Sequence, residues 1–309
     1  LKFFIKMVAD IFFLATLEEA ITIRKINSKG NVYVLNGLEN NNLDIFKKYK
    51  IIPILISLEE LKQFIKSKFY KTKFQIGIHI DTGLNRLGIK IQDLSIKDTK
   101  KLELTLLMSH LSSADEYNNH YNDLQNKKFQ SIFNYFKSIK FKSLANSAGI
   151  LNKKYHYDLI RPGITLYGGY DNFKLKKLMS INSVIILKAK VLQIKTLKKN
   201  TFVGYNQTYK TKKEITIAIL GIGYGDGFPR ILSNKGNVFY KNKSFNIIGR
   251  VSMDTITVDI TNNDKDIEEG NYLEIINYQY GIDAIAKESH TICDEILTSI
   301  SNRVKRKYI

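Results

Sequence analysis

The chain has 309 residues, 44% of them hydrophobic, which is enough to bury one large core or two smaller ones. Its 48 Lys and Arg against 29 Asp and Glu give a net charge of +19, but only seven of those bases are arginine and the lysines scatter among Asn, Ile and Glu. The excess reads as a solvated surface, which sets nucleic-acid binding aside; 18 Tyr, 17 Phe and only three Pro exclude a disordered chain, and the single cysteine, Cys293, excludes an internal disulfide and points to a reducing compartment.

The opening LKFFIKMVADIFFLA is broken by Lys6 and Asp10 and runs on into a strand–helix pattern, so it is not read as a signal peptide. No window reaches the length of a membrane span. The chain begins with Leu rather than Met. Strand-type runs follow at IFFLAT (11–16), VYVLNG (32–37), IPILIS (52–57), FQIGIHID (74–81), ELTLLMSH (103–110), KSLANS (142–147) and YDLIRPG (157–163). Helical patterns lie between several of them. LEEAITIRKI begins at Leu17, Ser57 with Glu60 predicts a capping box for LEELKQFIKSKFY, and 119–139 predicts one long helix. Repeated strand–helix units imply a parallel sheet and, in this number, a (β/α)8 TIM-type barrel. Seven strands are one short of eight, so the first strand is expected to be missing. Near residue 180 the pattern changes to short alternating runs: INSVIILKAKVLQIKTL, NTFVGYNQTY, EITIAIL, GNVFY, SFNIIG and TITVDI. These predict a mainly antiparallel β domain over 181–309, after a truncated barrel over 1–180, with a helical tail from about Ile282 to Tyr308.

Polar residues gather where the barrel strands stop. Asp81 to Arg86, His110 with Ser112, Asn146 with Ser147, and Arg161 with Gly163 each follow an apolar run. In a barrel those ends converge on one mouth, where catalytic groups collect. Any one such cluster is ordinary loop polarity. Four of them, holding two of only seven arginines, point to a site.

The motifs IDTGLNRLG, SHLSSADE, LANSAG, RPGITLYG, VGYNQTY, GIGYGDGFPR and GRVSMD, in that order, resemble the signature set of the alanine racemase family over nearly the whole chain. The resemblance implies a (β/α)8 barrel with a β domain, pyridoxal 5′-phosphate (PLP) as cofactor, and a cytoplasmic homodimer whose active sites take residues from both subunits. It implies interconversion of L- and D-alanine for peptidoglycan by two bases, one on each face of the substrate. One base would be Tyr205, reaching the partner's site; tyrosine titrates at about pH 10, so a tyrosine acting as base needs cations nearby. Arg161 would face the pyridine nitrogen, supported by His110. Asn146, Ser147 and the N–H groups of Gly163 and Ile164 would hold the phosphate. Arg86 would bind the substrate carboxylate as a planar fork. Met253 and Asp254 would line the substrate pocket, and Tyr224 would gate it.

Three departures stand against the family pattern. His79 lies where many relatives carry a carbamylated lysine. Asp294 in TICDEIL takes the place of a phosphate-contacting tyrosine. The family's cofactor lysine, on the first barrel strand, has no counterpart, since Lys2 and Lys6 lack its context; strand and lysine are expected together upstream of Leu1. The alternative reading is a catalytically inactive remnant or a non-enzymatic PLP-binding scaffold.

Overall fold

The structure, a computed structural model, describes residues 10–26, 29–38, 42–170, 181–263 and 265–308. Lys2 and Lys6 lie outside them. The chain divides into two compact units, Leu1–Pro162 and Gly163–Ile309.

In the first unit the strands are β1 (Ile11–Leu14), β2 (Asn31–Val34), β3 (Ile52–Leu55), β4 (Gly77–Asp81), β5 (Ile89–Lys90), β6 (Glu103–Met108), β7 (Ser138–Asn146) and β8 (Leu159–Arg161). They pair in parallel in the order β1-β2-β3-β4-β6-β7-β8, with β5 on β4, and form a nearly closed barrel. The seven runs read from the sequence supply the main path; β5, only two residues long, carries no alternation to betray it. Strand geometry sorts the side chains onto two faces. Val32, Val34, Ile78, Ile80 and Leu107 pack outward beneath the helices. Tyr33, Ile52, Ile54, Leu106 and Met108 fill the inner face, where Phe13 stacks on Tyr33 at 5.2 Å. Burial on both faces is why these strands read as near-continuous apolar runs.

The helices of this unit are α1 (Leu17–Ile26), α2 (Leu43–Lys48), α3 (Leu58–Lys66), α4 (Ile96–Thr99) and α5 (His120–Ser131). At the start of α3 the Glu60 N–H donates to Ser57 Oγ at 3.2 Å, half of the expected capping box. The other half is redirected. The Glu60 carboxylate accepts from the N–H groups of Leu38 (2.9 Å) and Ile56 (2.7 Å), so it ties the segment after β2 to the end of β3. The helix expected over 119–139 is shorter than its pattern. It ends at Ser131, a 3₁₀ turn covers Phe133–Tyr135, and β7 begins at Ser138, where Ile139 and Phe141 pack against the buried apolar clusters of the barrel.

In the second unit, β9 (Leu187–Leu197), β10 (Phe202–Val203), β11 (Tyr209–Lys210), β12 (Ile215–Leu220), β13 (Asn237–Tyr240), β14 (Lys243–Asn246), β15 (Ile256–Asp259) and β16 (Tyr272–Ile276) are antiparallel. Six form a sheet in the order β14-β13-β16-β9-β12-β15, and β10 pairs β11 separately. Strand β16, NYLEII in the sequence, lies between β13 and β9 and escaped the sequence reading. Two helices follow, α6 (Ile282–Glu288) and α7 (Cys293–Ser299). The continuous helical tail expected from Ile282 is interrupted at His290, whose φ of 54° leaves the helical range, and gives way to turns after Ser299.

Candidate active site

The loop after β4 answers why Asp, Asn and Arg crowd together at 81–86. Asp81 Oδ1 accepts from the N–H groups of Gly83 (2.9 Å) and Asn85 (3.1 Å), an Asx-type turn that stops the strand. The chain then doubles back within seven residues so that Ile89 pairs in parallel with Ile80. Parallel neighbours ordinarily need a crossover of a dozen residues or more. Gly88 makes the short return possible: its φ is +119°, and a Cβ there would stand 2.6 Å from the Asp81 nitrogen. Arg86 rides exposed on this folded-back loop.

Behind the loop lies a polar layer. Gly77, His79 and Asp81 alternate with Ile78 and Ile80, which face the outer core, so His79 points to the inner face; its register partner Met108 belongs to that face too. His79 is 5% exposed. Burial, then Arg161 and Arg86, pull its pKa down to about 4, against a smaller opposing pull from Asp81. Burial, Arg161, Arg86 and His79 pull His110, two residues past β6, down to about 3. Both rings are therefore neutral at pH 7, flanked by two guanidiniums.

Arg161, the last residue of β8, spends its fork on three acceptors. Nη1 donates to Ser143 Oγ, and Nη2 donates to the carbonyls of Ser109 (2.7 Å) and Leu144 (3.3 Å). It thus ties the ends of β6, β7 and β8 together. Burial lowers its pKa to about 10, so it stays protonated at pH 7. Asn146 pairs in register with Arg161 and accepts from the Gly149 N–H at 3.0 Å; Ser147 beside it is buried.

The layer is held from behind by α5. The helix buries Asn122, Gln125, Asn126 and Phe129, spaced as one helical stripe. The stripe is amide-rich because it docks on strand ends and loops rather than on apolar strands. Gln125 Nε2 donates to His110 O (3.1 Å) and Thr82 Oγ1 (3.4 Å), while its Oε1 accepts from Ser112 N (2.9 Å) and Oγ (3.1 Å). Thr82 and Ser109 share a hydroxyl–hydroxyl bond of 2.8 Å. An unbroken chain of bonds runs from α5 through Thr82 and Ser109 to Arg161. Sequence reading found Arg161 and His110 but missed Thr82, Ser109, Ser143 and Gln125; the signal available was a glutamine on the buried face of a helix.

The remaining predicted residues belong to the second unit. Gly163 precedes a 3₁₀ turn at Ile164–Tyr167, and Ile164 packs into this unit's core. Tyr205 is 69% exposed. It opens the turn Tyr205–Gln207, in which Asn206 and Gln207 have positive φ (59° and 56°), as does Gly204 just before it (73°). Arg250 Nη1 donates to Asn206 Oδ1 at 3.2 Å. Further along the same segment, the Ser252 carbonyl accepts from Tyr224 N–H (3.0 Å) and the Met253 carbonyl from Gly225 N–H (2.9 Å). The motifs VGYNQTY, GIGYGDGFPR and GRVSMD therefore meet: residues 249–254 touch the other two. Tyr224 and Met253 are exposed like Tyr205, and Asp254 pairs with Arg303 at 2.6 Å. Asp294 is exposed in the first turn of α7.

A parallel barrel whose strand ends carry a buried arginine bonded to hydroxyls and carbonyls, beside two neutral histidines, followed in the chain by an antiparallel sheet unit, is the layout of a barrel enzyme with a second domain. Family models described as the N-terminal and the C-terminal domain of alanine racemase match residues 2–171 and 184–308. The alanine racemase of Rickettsia canadensis is 40% identical over 309 residues, covering 96% of this chain and 84% of that protein; that of Rickettsia bellii is 39% identical, covering 96% and 74%. Among solved structures, the alanine racemase of Bartonella henselae with covalently bound pyridoxal phosphate superposes with a TM-score of 0.89 at 32% identity, covering 97% of this chain and 85% of the other. The chain belongs to the alanine racemase family.

Proposed function

We propose that this protein interconverts L- and D-alanine with pyridoxal 5′-phosphate. The observation that carries the reading is the single bonded network joining Arg161, Ser143, Ser109, Thr82 and Gln125, beside His79 and His110, at the strand ends of the barrel. The donor set fits the cofactor. Ser147 and Asn146 supply hydroxyl and amide beside Arg161 for the phosphate, and Arg86 supplies a fork for the substrate carboxylate. When bound, the cofactor withdraws the charge left behind when the α-proton departs.

The protein's residues do the rest. Arg161 keeps its proton and offers only donors, so facing the ring nitrogen it would leave that nitrogen unprotonated and would keep the charge withdrawal modest, which would favour returning the proton over side reactions. His110 and His79, neutral, bring no further positive charge to the mouth. Tyr205 carries a proton on one face of the substrate. Its high exposure, with that of Tyr224 and Met253, supports a homodimer in which these residues complete the partner's site. Met253 offers a backbone N–H to the substrate carboxylate, Asp254 lines the pocket, and Tyr224 stands at the entrance. We place the protein in the cytoplasm, supplying D-alanine for peptidoglycan; the single thiol, that of Cys293, is buried, and among the described residues no helix is long and apolar enough to cross a membrane.

Among the described residues no lysine is bonded into the strand-end network. We propose that the second base, the cofactor lysine, comes with the first barrel strand from residues preceding Leu1, and that the barrel domain extends to about residue 180. The test compares residues 1–309 with an N-terminally extended chain, each incubated with PLP and L-alanine and scored for D-alanine. Product from the extended chain alone is the expected result. Product from residues 1–309 overturns the placement of the lysine, and no product from either overturns the racemase reading.

A further inference from the structure

We infer that Arg303 is a positioning residue, which from the C-terminal tail locks together the two loops that carry Tyr224 and Met253. Its guanidinium bridges two carboxylates on separate loops: Nε lies 3.3 Å from Asp226 Oδ1, and Nη2 lies 2.6 Å from Asp254 Oδ1. Asp226 follows Tyr224 by two residues, and Asp254 follows Met253 directly. The other oxygen of Asp226 accepts from the Gly223 N–H at 2.9 Å, so this nearly buried carboxylate also closes its own turn.

The tail backbone is seated on the same loop. Ser301 N–H donates to Asp226 O (3.1 Å) and Ser299 Oγ donates to Gly227 O (3.2 Å). This seat accounts for the second and third glycines of Gly-Tyr-Gly-Asp-Gly. A Cβ on Gly225 would stand 2.6 Å from Arg303 Nη1, and one on Gly227, whose φ is +98°, would stand 2.2 Å from Ser299 O. Gly225 and Gly227 are the footprint of the tail and its arginine, whereas Gly223 makes room for the Ser252 and Met253 carbonyls.

Without the bridge, the Tyr224 and Met253 loops are joined by the two main-chain hydrogen bonds between 224–225 and 252–253. A planar fork reaches two carboxylates at once, which an ammonium does not. Exposed ion pairs contribute little to overall stability, and the Arg303 side chain is half exposed, so its effect falls on the placement of the loops. The catalytic consequence rests on the racemase reading; the structural one does not.

The test is amide hydrogen exchange on residues 1–309, wild type against Arg303→Gln, Arg303→Lys and Arg303→Gln/Asp254→Asn. Arg303→Gln should speed exchange about tenfold in peptides covering 223–227 and 252–255 and leave β9 and β12 unchanged. Arg303→Lys should recover part of that protection, and adding Asp254→Asn should add nothing, because the pair acts as a unit. In the extended, PLP-loaded protein, Arg303→Gln should raise KM for alanine about tenfold with kcat within about threefold. Unchanged exchange in both loops, or faster exchange throughout the second unit, overturns the inference. Loops that open as expected in a protein that makes no D-alanine overturn the racemase reading and leave the role of Arg303 standing.

Discussion

Acidifying the protein from pH 7 to pH 5 tests the buried histidines directly. The folded-state pKa values of His79 and His110 are about 4 and about 3, below the ordinary 6.5 that the unfolded chain restores. Between those limits the unfolded chain binds a proton at each site that the folded chain refuses. Stability is therefore fully present above pH 6.5 and falls as the pH drops towards 4 and 3, at about 1.4 kcal/mol per pH unit per histidine. From pH 7 to 5 the loss comes to about 2 kcal/mol for each ring, about 4 kcal/mol together, if the two titrate independently. Asp and Glu residues paired in the fold add a loss of the same sign, so the diagnostic quantity is a difference. His79→Gln keeps a buried polar group of similar reach without a titrating proton. Urea denaturation of wild type and His79→Gln at pH 7 and pH 5 should show the variant losing about 2 kcal/mol less than the wild type. Parallel losses in the two proteins would refute the claim that burial, with Arg161 and Arg86, holds His79 neutral.

Three further outcomes follow from the same geometry. Arg161→Lys keeps the charge but strips the ends of β6 and β7 of at least two charge-assisted bonds; urea midpoints should fall by the equivalent of about 3 kcal/mol. Gly88→Ala puts a methyl group against the Asp81 nitrogen at positive φ; a loss of about 2 kcal/mol or more, with chemical-shift changes at Asp81 and Arg86, is expected. Tyr205→Phe, at a mostly exposed position, should leave the melting temperature within about 2 °C and lower D-alanine formation by the extended chain about 10²–10⁴-fold.

Much of this fold was legible because its strands are buried on both faces. The run FQIGIHID is apolar enough to mark β4, and its alternation already sets His79 opposite Ile78 and Ile80. The motifs that fill loops were legible as well, since DTGLNRLG and GYGDG need glycine for close approaches that chain chemistry makes visible. What stayed hidden was whatever a second element decides. Helix α5 has an amide stripe, so its hydropathy resembles a solvated helix, and only the strand ends beneath it explain Gln125. Glu60 obeyed a local capping rule with its N–H and ignored it with its carboxylate, which accepts from Leu38 and Ile56 instead. Two-residue β5 has no pattern at all, and its pairing depends on Gly88. The arginines fall between these cases. In a chain that uses lysine almost everywhere, Arg24 serves the carbonyls of Gly30, Tyr49 and Lys50, and Arg161, Arg303 and Arg306 likewise serve several acceptors each. Scarcity marked them as forks without saying what each one holds.

The turn at Gly204–Gln207 sets two selective pressures against each other. Asn206 and Gln207 are both wound left-handed, and a side chain such as glutamine tolerates that at a cost of about 1 kcal/mol. Glycine at 207 would relieve the torsion and slacken the perch on which Tyr205 stands. Directed evolution that rewards heat resistance alone would be drawn to that substitution, and the variants it enriched would survive heating better while turning over more slowly.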